Sequence, residues 1–300
     1  MITNTSSRII KFISANKKAR VHDLVGFLKI STVAVHKQMQ KLLREGKVER
    51  VGKPPLVFYQ LTKVKKEVQI KTILSQERQK EIENNYLYIS PVGELIYGFE
   101  GFKRWVISTK QEKQMSFLAR EYVKYRKKLY KSFSKGGNIS ALKKLKDTFT
   151  KVWIDDIFYL DFYSLPKFGK TKLGQLVLYA KQSQNLSLVE KIVKIAINPL
   201  RHLIKQKKID AISFIPHTIP RKIQFLKEFE RLTNLEWPKI TIVKAYKNNI
   251  FVAQKSLAKL EDRIINARDT IFITSEIRTF KNVLLIDDAA GSGASMTGTW

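Results

Sequence analysis

Residues 1–66 carry three apolar stripes of helical period, then a glycine stop, then two short runs of β-branched and aromatic residues. Few folds satisfy that order. Ile9, Ile10, Phe12 and Ile13 recur at helical spacing behind Ser6 or Ser7 as cap. Val21, Leu24, Val25 and Leu28 repeat the spacing, and Val33, Val35, Met39, Leu42 and Leu43 form a third stripe. Gly46 ends the third helix, since glycine takes the left-handed conformation that terminates a helix at least cost. The stretch "KVERVGKPPLVFYQLT" predicts two strands around a turn at 52–55, with Val48, Val57, Tyr59 and Leu61 as its apolar positions.

Three helices and a hairpin make a winged helix, an α+β domain. The segment "KISTVAVHKQMQKLLREGKVERVGKPPLVFYQLT" resembles the recognition helix and wing of bacterial winged helix-turn-helix regulators. That resemblance covers about 60 residues and implies that the third helix lies in the major groove of double-stranded DNA, its N-terminal side chains reaching base edges. Ser31, Thr32, His36, Lys37 and Lys41 are the candidates for that contact, and wing residues Arg50 and Lys53 would meet phosphates. Residues 1–66 hold 15 Lys and Arg against 3 Asp and Glu, a balance of +12. Winged helices also serve as protein-interaction modules, which leaves that role as the alternative. Dimerisation to a homodimer is expected where such a domain reads paired half-sites.

The basic excess extends through the chain. Its 300 residues contain 56 Lys and Arg against 26 Asp and Glu, a formal charge of +30 that attracts polyanions through counterion release. Nucleic acid is therefore the first partner to consider, with a general lysine bias as the alternative source of the charge. The 44% hydrophobic content is enough for real cores. No cysteine occurs, which excludes disulfides and thiolate metal sites. No apolar run approaches the roughly 18 residues of a membrane span, and the N-terminus lacks a secretory apolar core, so a cytoplasmic location without membrane contact is expected.

Residues 67–150 read as a mixed linking region. "YLYISPVGELIYGFEGFKRWVIS" predicts a hairpin over 86–99 around a Pro-Val-Gly turn, and "QMSFLAREYVKYRKKLYKSFS" predicts a helix broken by Gly136 and Gly137. Tyr122, Tyr125, Tyr130 and Phe133 are expected on its core side, with stacking on nucleic acid as the alternative, and Trp105 and Trp153 are expected in cores.

Residues 151–300 change style. Short β-branched runs at 209–215, 240–243, 271–274 and Val283–Ile286 predict four buried strands, and "SLVEKIVKIAINPLRHLIKQ" and "RKIQFLKEFERLTN" predict helices between some of them. The alternation implies an α/β domain with a mainly parallel sheet, whose ligands bind at the carboxyl ends of the strands. On that rim, Asp287 and Asp288 emerge after the last strand, able to accept hydrogen bonds from vicinal hydroxyls directly or through Mg²⁺. Small residues follow whose backbone N–H groups can surround a phosphate. A Rossmann motif fits poorly because the acidic pair precedes the glycines, and a Walker B reading of "LLIDD" lacks its G-x-x-x-x-G-K-[ST] partner.

"VLLIDDAAGSGAS" resembles the phosphoribosyl pyrophosphate loop of type I phosphoribosyltransferases. "DAISFIPHTIPRK" and "QKSLAKLEDRIINARDTIFI" extend the resemblance, over about 172–300, to the ComF family of competence-associated phosphoribosyltransferase-like proteins. The resemblance implies that Asp287 and Asp288 hold the ribose hydroxyls, with Mg²⁺ accompanying phosphoribosyl pyrophosphate. Ala290, Gly291, Ser292, Gly293, Ala294 and Ser295 would hold the 5′-phosphate. The loop 216–221 would face the pyrophosphate with Arg221 or Lys222 offering positive charge, and 254–263 would form a mobile flap.

Three departures stand out. A winged helix replaces the cysteine zinc module common in ComF proteins. Gly291 stands where some base-transferring members have an Asp suited to proton transfer. Only "SMTGTW" follows the loop, where the fold usually continues through a helix and a strand, so the domain is expected to be incomplete. Three functions fit: a DNA-binding transcription regulator sensing phosphoribosyl pyrophosphate or a nucleotide, an active phosphoribosyltransferase, or a ComF-like DNA-uptake factor.

Overall fold

The computed structural model describes residues 4–62, 74–148, 152–248, 250–253, 256–274 and 279–290. The chain is mixed α/β, helix-rich with small sheets, and divides into two compact units, Met1–Ile70 and Lys71–Trp300.

In the first unit three helices, α1 (Thr5–Asn16), α2 (Val21–Leu28) and α3 (Thr32–Arg44), precede the antiparallel pair β1 (Val48–Lys53) and β2 (Leu56–Leu61), which run in register from Val48↔Leu61 to Lys53↔Leu56. Gly46 lies at φ 64° where the chain leaves α3. At Gly52, φ 90°, a side chain would strike the Leu56 carbonyl across the turn. Ile9, Ile13, Leu24, Leu28, Val35, Met39, Leu42, Val48 and Tyr59 form one core. The expected stripes differ from it at two points. Asn4, not Ser6 or Ser7, caps α1, its Oδ1 accepting from the Ser6 amide at 3.2 Å, while the buried Ser6 hydroxyl donates to Gln38 Oε1 at 2.9 Å. Val33 leaves the third stripe and is 78% exposed, because it sits two residues before Val35 and so turns about 200° away from it on the helix.

The second unit opens with α4 (Gln76–Asn85), the hairpin β3 (Leu87–Ile89) and β4 (Leu95–Tyr97), α5 (Gly98–Ser108) and α6 (Met115–Tyr130). The hairpin pairs Leu87↔Tyr97 and Ile89↔Leu95 across a turn of residues 90–94, as the Pro-Val-Gly stretch predicts. Tyr122 of α6 is buried against Tyr86, Phe102 and Phe168. Arg126 of α6 pairs with Asp161 at 3.3 Å and donates to Asn85 Oδ1 at 3.1 Å. Short pairs follow: β5 (Ile139–Ser140), then α7 (Leu142–Thr148), then β6 (Phe158–Tyr159), which pairs with β5, and β7 (Ser164–Leu165) with β8 (Gly169–Lys170). Trp153, expected in a core, lies between α7 and β6 and is 55% exposed.

Helices α8 (Lys172–Ser183) and α9 (Leu186–Gln206) then pack on one another. Leu188, Val189, Ile192, Ala196, Leu200 and Ile204 of α9 fall on one stripe and pack with Leu176 and Val177 of α8, Ile212, and Leu87 and Ile89 of β3. The core thus crosses the boundary drawn near residue 150 from composition. Strand β9 (Ala211–Phe214) is followed by α10 (Phe225–Thr233), β10 (Ile242–Lys244), α11 (Leu260–Thr270), β11 (Ile271–Ile273) and β12 (Val283–Ile286). β12 runs parallel to β9, Val283↔Ala211 through Ile286↔Phe214, and Lys239 adds a parallel bridge to Ile212 on β9. The other two expected strands depart from the parallel reading: β10 and β11 pair antiparallel, Ile242↔Ile273. Phe272 and its cross-strand partner Val243, which share a face, are 48% and 37% exposed, and a pair with a wet face is the situation antiparallel strands tolerate and buried parallel ones do not.

Candidate functional site

The parallel pair fixes the carboxyl edge of the second unit. Ile286 ends β12 with its carbonyl accepting from the Ile215 amide at 2.9 Å, so Asp287 leaves the strand level with the start of the 216–222 loop. Asp287 Oδ1 accepts from the Asp288 backbone N–H at 2.7 Å. Its carboxyl is enclosed by protein on most sides while keeping a little open surface. Burial pushes its pKa up to about 6, the neighbouring Asp288 charge adds to the rise, and the Asp288 amide and Lys181 oppose it.

Asp288 is held differently. Lys181, in the last turn of α8, places Nζ 2.5 Å from Asp288 Oδ2, and its own carbonyl accepts from Arg221 Nη1 at 2.5 Å. The Ile223 amide donates to Gln184 Oε1 at 3.0 Å, which docks the far end of the 216–222 loop on the end of α8. The structure therefore gathers Asp287, Asp288 and Arg221 of the expected set around Lys181. Lys222 is exposed on the same loop, and Ala290 is half-buried two residues past Asp288. Gly291, Ser292, Gly293, Ala294 and Ser295 lie outside the described residues. Of the expected flap 254–263, the last four residues form the first turn of α11, and Arg263 Nε donates to the Leu257 carbonyl at 2.9 Å.

Lys181 escapes sequence reading because one lysine among many at a helix end carries no signal of its partner. Lys244 escapes for the same reason. It ends β10 with Nζ 2.9 Å from Asn266 Oδ1 and 3.4 Å from Thr218 Oγ1, and burial lowers its pKa to about 8. His217 on the same loop is also lowered, by burial first and Lys227 second.

Among the described residues no group of three or more His, Cys, Asp or Glu could hold a metal ion. With Lys181 on Asp288, the acidic pair does not fit direct Mg²⁺ coordination, although both carboxylates can still accept from hydroxyl groups.

The chain matches no protein-family model, no curated protein and no solved structure. The site is therefore argued from geometry alone. No helix among the described residues is long and apolar enough to cross a membrane.

The first unit presents a second surface. Thr32, His36, Lys37 and Lys41 of α3 and Arg50 and Lys53 of β1 are all exposed. Ser31, expected to reach bases, is occupied as the cap of α3, its Oγ accepting from the Ala34 amide at 3.3 Å. Lys41 lies 3.9 Å from Glu45, whose carboxyl is held below its usual value mainly by its hydrogen bond with Lys47.

Proposed function

We propose that the chain is a DNA-binding regulator: a winged-helix first unit reads double-stranded DNA, and a phosphoribosyltransferase-like second unit takes phosphoribosyl pyrophosphate or a nucleotide as effector. The observation that carries this reading is the outward face of α3, polar apart from Val33 and carrying Lys37, Lys41 and Arg44, in a segment balanced at +12. An exposed face of that charge suits the phosphate backbone. The effector half is supported by two carboxylates at the carboxyl edge of a parallel pair, next to Lys181 and Arg221, which matches the hydroxyls and phosphates of one sugar phosphate. In this reading Asp287 and Asp288 accept from the ribose hydroxyls, and Mg²⁺ arrives on the pyrophosphate.

Duplex affinity measured by anisotropy with and without saturating phosphoribosyl pyrophosphate and Mg²⁺ tests both halves. The expected outcome is a shift of roughly 5- to 150-fold, with the same factor on effector affinity when duplex is saturating. Duplex binding that effector leaves unchanged overturns the regulator.

A phosphoribosyltransferase is the second reading. The observation that favours it is Asp287, whose carboxyl titrates near 6 and so exchanges protons close to neutral pH. Pyrophosphate release with a panel of bases, lost in Asp287→Asn, would establish it.

A further inference from the structure

Helical geometry narrows the DNA-facing residues of α3. Its buried side is set by Val35, Met39 and Leu42. At 100° per residue, the line opposite runs through Val33, Lys37, Gln40 and Arg44, spaced i, i+4, i+7 and i+11. All four are exposed, and Val33 is 78% exposed on a face otherwise polar. Three neighbours of this stripe are engaged elsewhere: Ser31 caps the helix, Gln38 accepts from Ser6, and Lys41 faces Glu45. Among the described residues, Lys37, Gln40 and Arg44 make no side-chain hydrogen bond or ion pair.

Resting on the DNA-binding reading above, we infer that this stripe reads two A·T pairs, Val33 packing on the C5 methyl of a thymine and Gln40 pairing with the N6/N7 edge of an adenine. The chemistry follows from the side chains. A glutamine amide offers one acceptor and two donors that match adenine N6–H and N7, and an apolar side chain in the major groove has only the thymine methyl to bury. Seven residues of helix separate the two, about 10.5 Å at 1.5 Å per residue. Against the roughly 3.4 Å rise of duplex DNA, that sets about three steps as the greatest separation of the contacted pairs, fewer as the helix inclines along the groove. Lys37 lies between them and Arg44 beyond, positioned for guanine edges or phosphates.

The test is selection of sites from a random duplex library with the full chain, followed by anisotropy on the enriched site. Replacing the contacted thymine by deoxyuridine removes only the methyl group. It is expected to weaken the wild-type protein about four-fold, the worth of one buried methyl, and to weaken Val33→Ala, whose side chain is shorter, by less. Gln40→Ala is expected to lose roughly ten-fold preference at the adenine while keeping its affinity for random duplex. Both positions are exposed, so the variants retain the fold, which circular dichroism checks. An enriched site whose preferences are the same in wild type, Val33→Ala and Gln40→Ala overturns the inference and leaves DNA binding standing. No duplex retained in the presence of heparin overturns both.

Discussion

Replacing Asp287 by Asn removes one ionisable group from the carboxyl edge and keeps the oxygen that accepts from the Asp288 amide. The wild-type carboxyl titrates at about 6 in the folded chain against an ordinary 3.8, chiefly because it is buried and secondarily because Asp288 stands beside it. Each pKa unit corresponds to about 1.4 kcal/mol, so ionised Asp287 costs the fold about 2–3 kcal/mol. The sign follows from proton binding. Between about pH 4 and 6 the folded chain holds a proton that the unfolded chain has released, so wild-type stability falls as pH rises through that window. Above pH 7 the whole cost is present. Asp287→Asn lacks the cost, so the two proteins should be nearly equal below pH 4 and differ by about 2–3 kcal/mol at pH 7.5, the variant being more stable. All four tryptophans, Trp105, Trp153, Trp237 and Trp300, lie in the second unit, so intrinsic fluorescence follows its unfolding. A gain of this size raises Tm by roughly 5–10 °C for a unit of this length. A difference that is the same at pH 4 and pH 7.5, or a variant less stable at pH 7.5, refutes the argument.

Asp161→Asn leaves the Arg126 guanidinium buried without its counter-charge, and urea unfolding should show a loss of roughly 3–5 kcal/mol. Lys244, lowered by burial to about 8, has shed its proton between pH 8 and 10.5 while the unfolded chain still carries it. Stability should therefore rise with pH across that window, and Lys244→Met should abolish the rise in thermal scans. Gly101→Ala puts a Cβ inside contact distance of the Ile96 carbonyl oxygen, forcing α5 off the β3–β4 hairpin, and should cost about 1–3 kcal/mol by the same assay.

The first unit was largely legible because its stripes repeat at 3.6 residues and glycines mark the end of α3 and the hairpin turn, although lysines, Lys17 and Lys29, close α1 and α2. Ile9, Leu24, Val35, Met39 and Leu42 are buried where the period places them. Val33 satisfies the composition of the third stripe but not its phase, since a valine two positions from Val35 faces the other way. In the second unit the buried run of β9 and its parallel partner β12 were visible as β-branched stretches. The antiparallel pairing of β10 with β11 was not, because strand direction depends on how the intervening chain returns, which residue types do not encode. The aspartates of the site were legible from their place after a strand. Lys181 was not, since its contact with Asp288 spans 107 residues of sequence and follows only from the tertiary arrangement that brings the last turn of α8 to the residue after β12.

Asp288 and Lys181 neutralise one another, and the Lys181 carbonyl holds Arg221, so the acidic pair and the 216–222 loop share one lysine. In the effector reading proposed above, a phosphate at this edge would compete with Asp288 for Lys181 and a ribose hydroxyl would be received by the carboxylate so released, exchanging one ion pair for two new contacts.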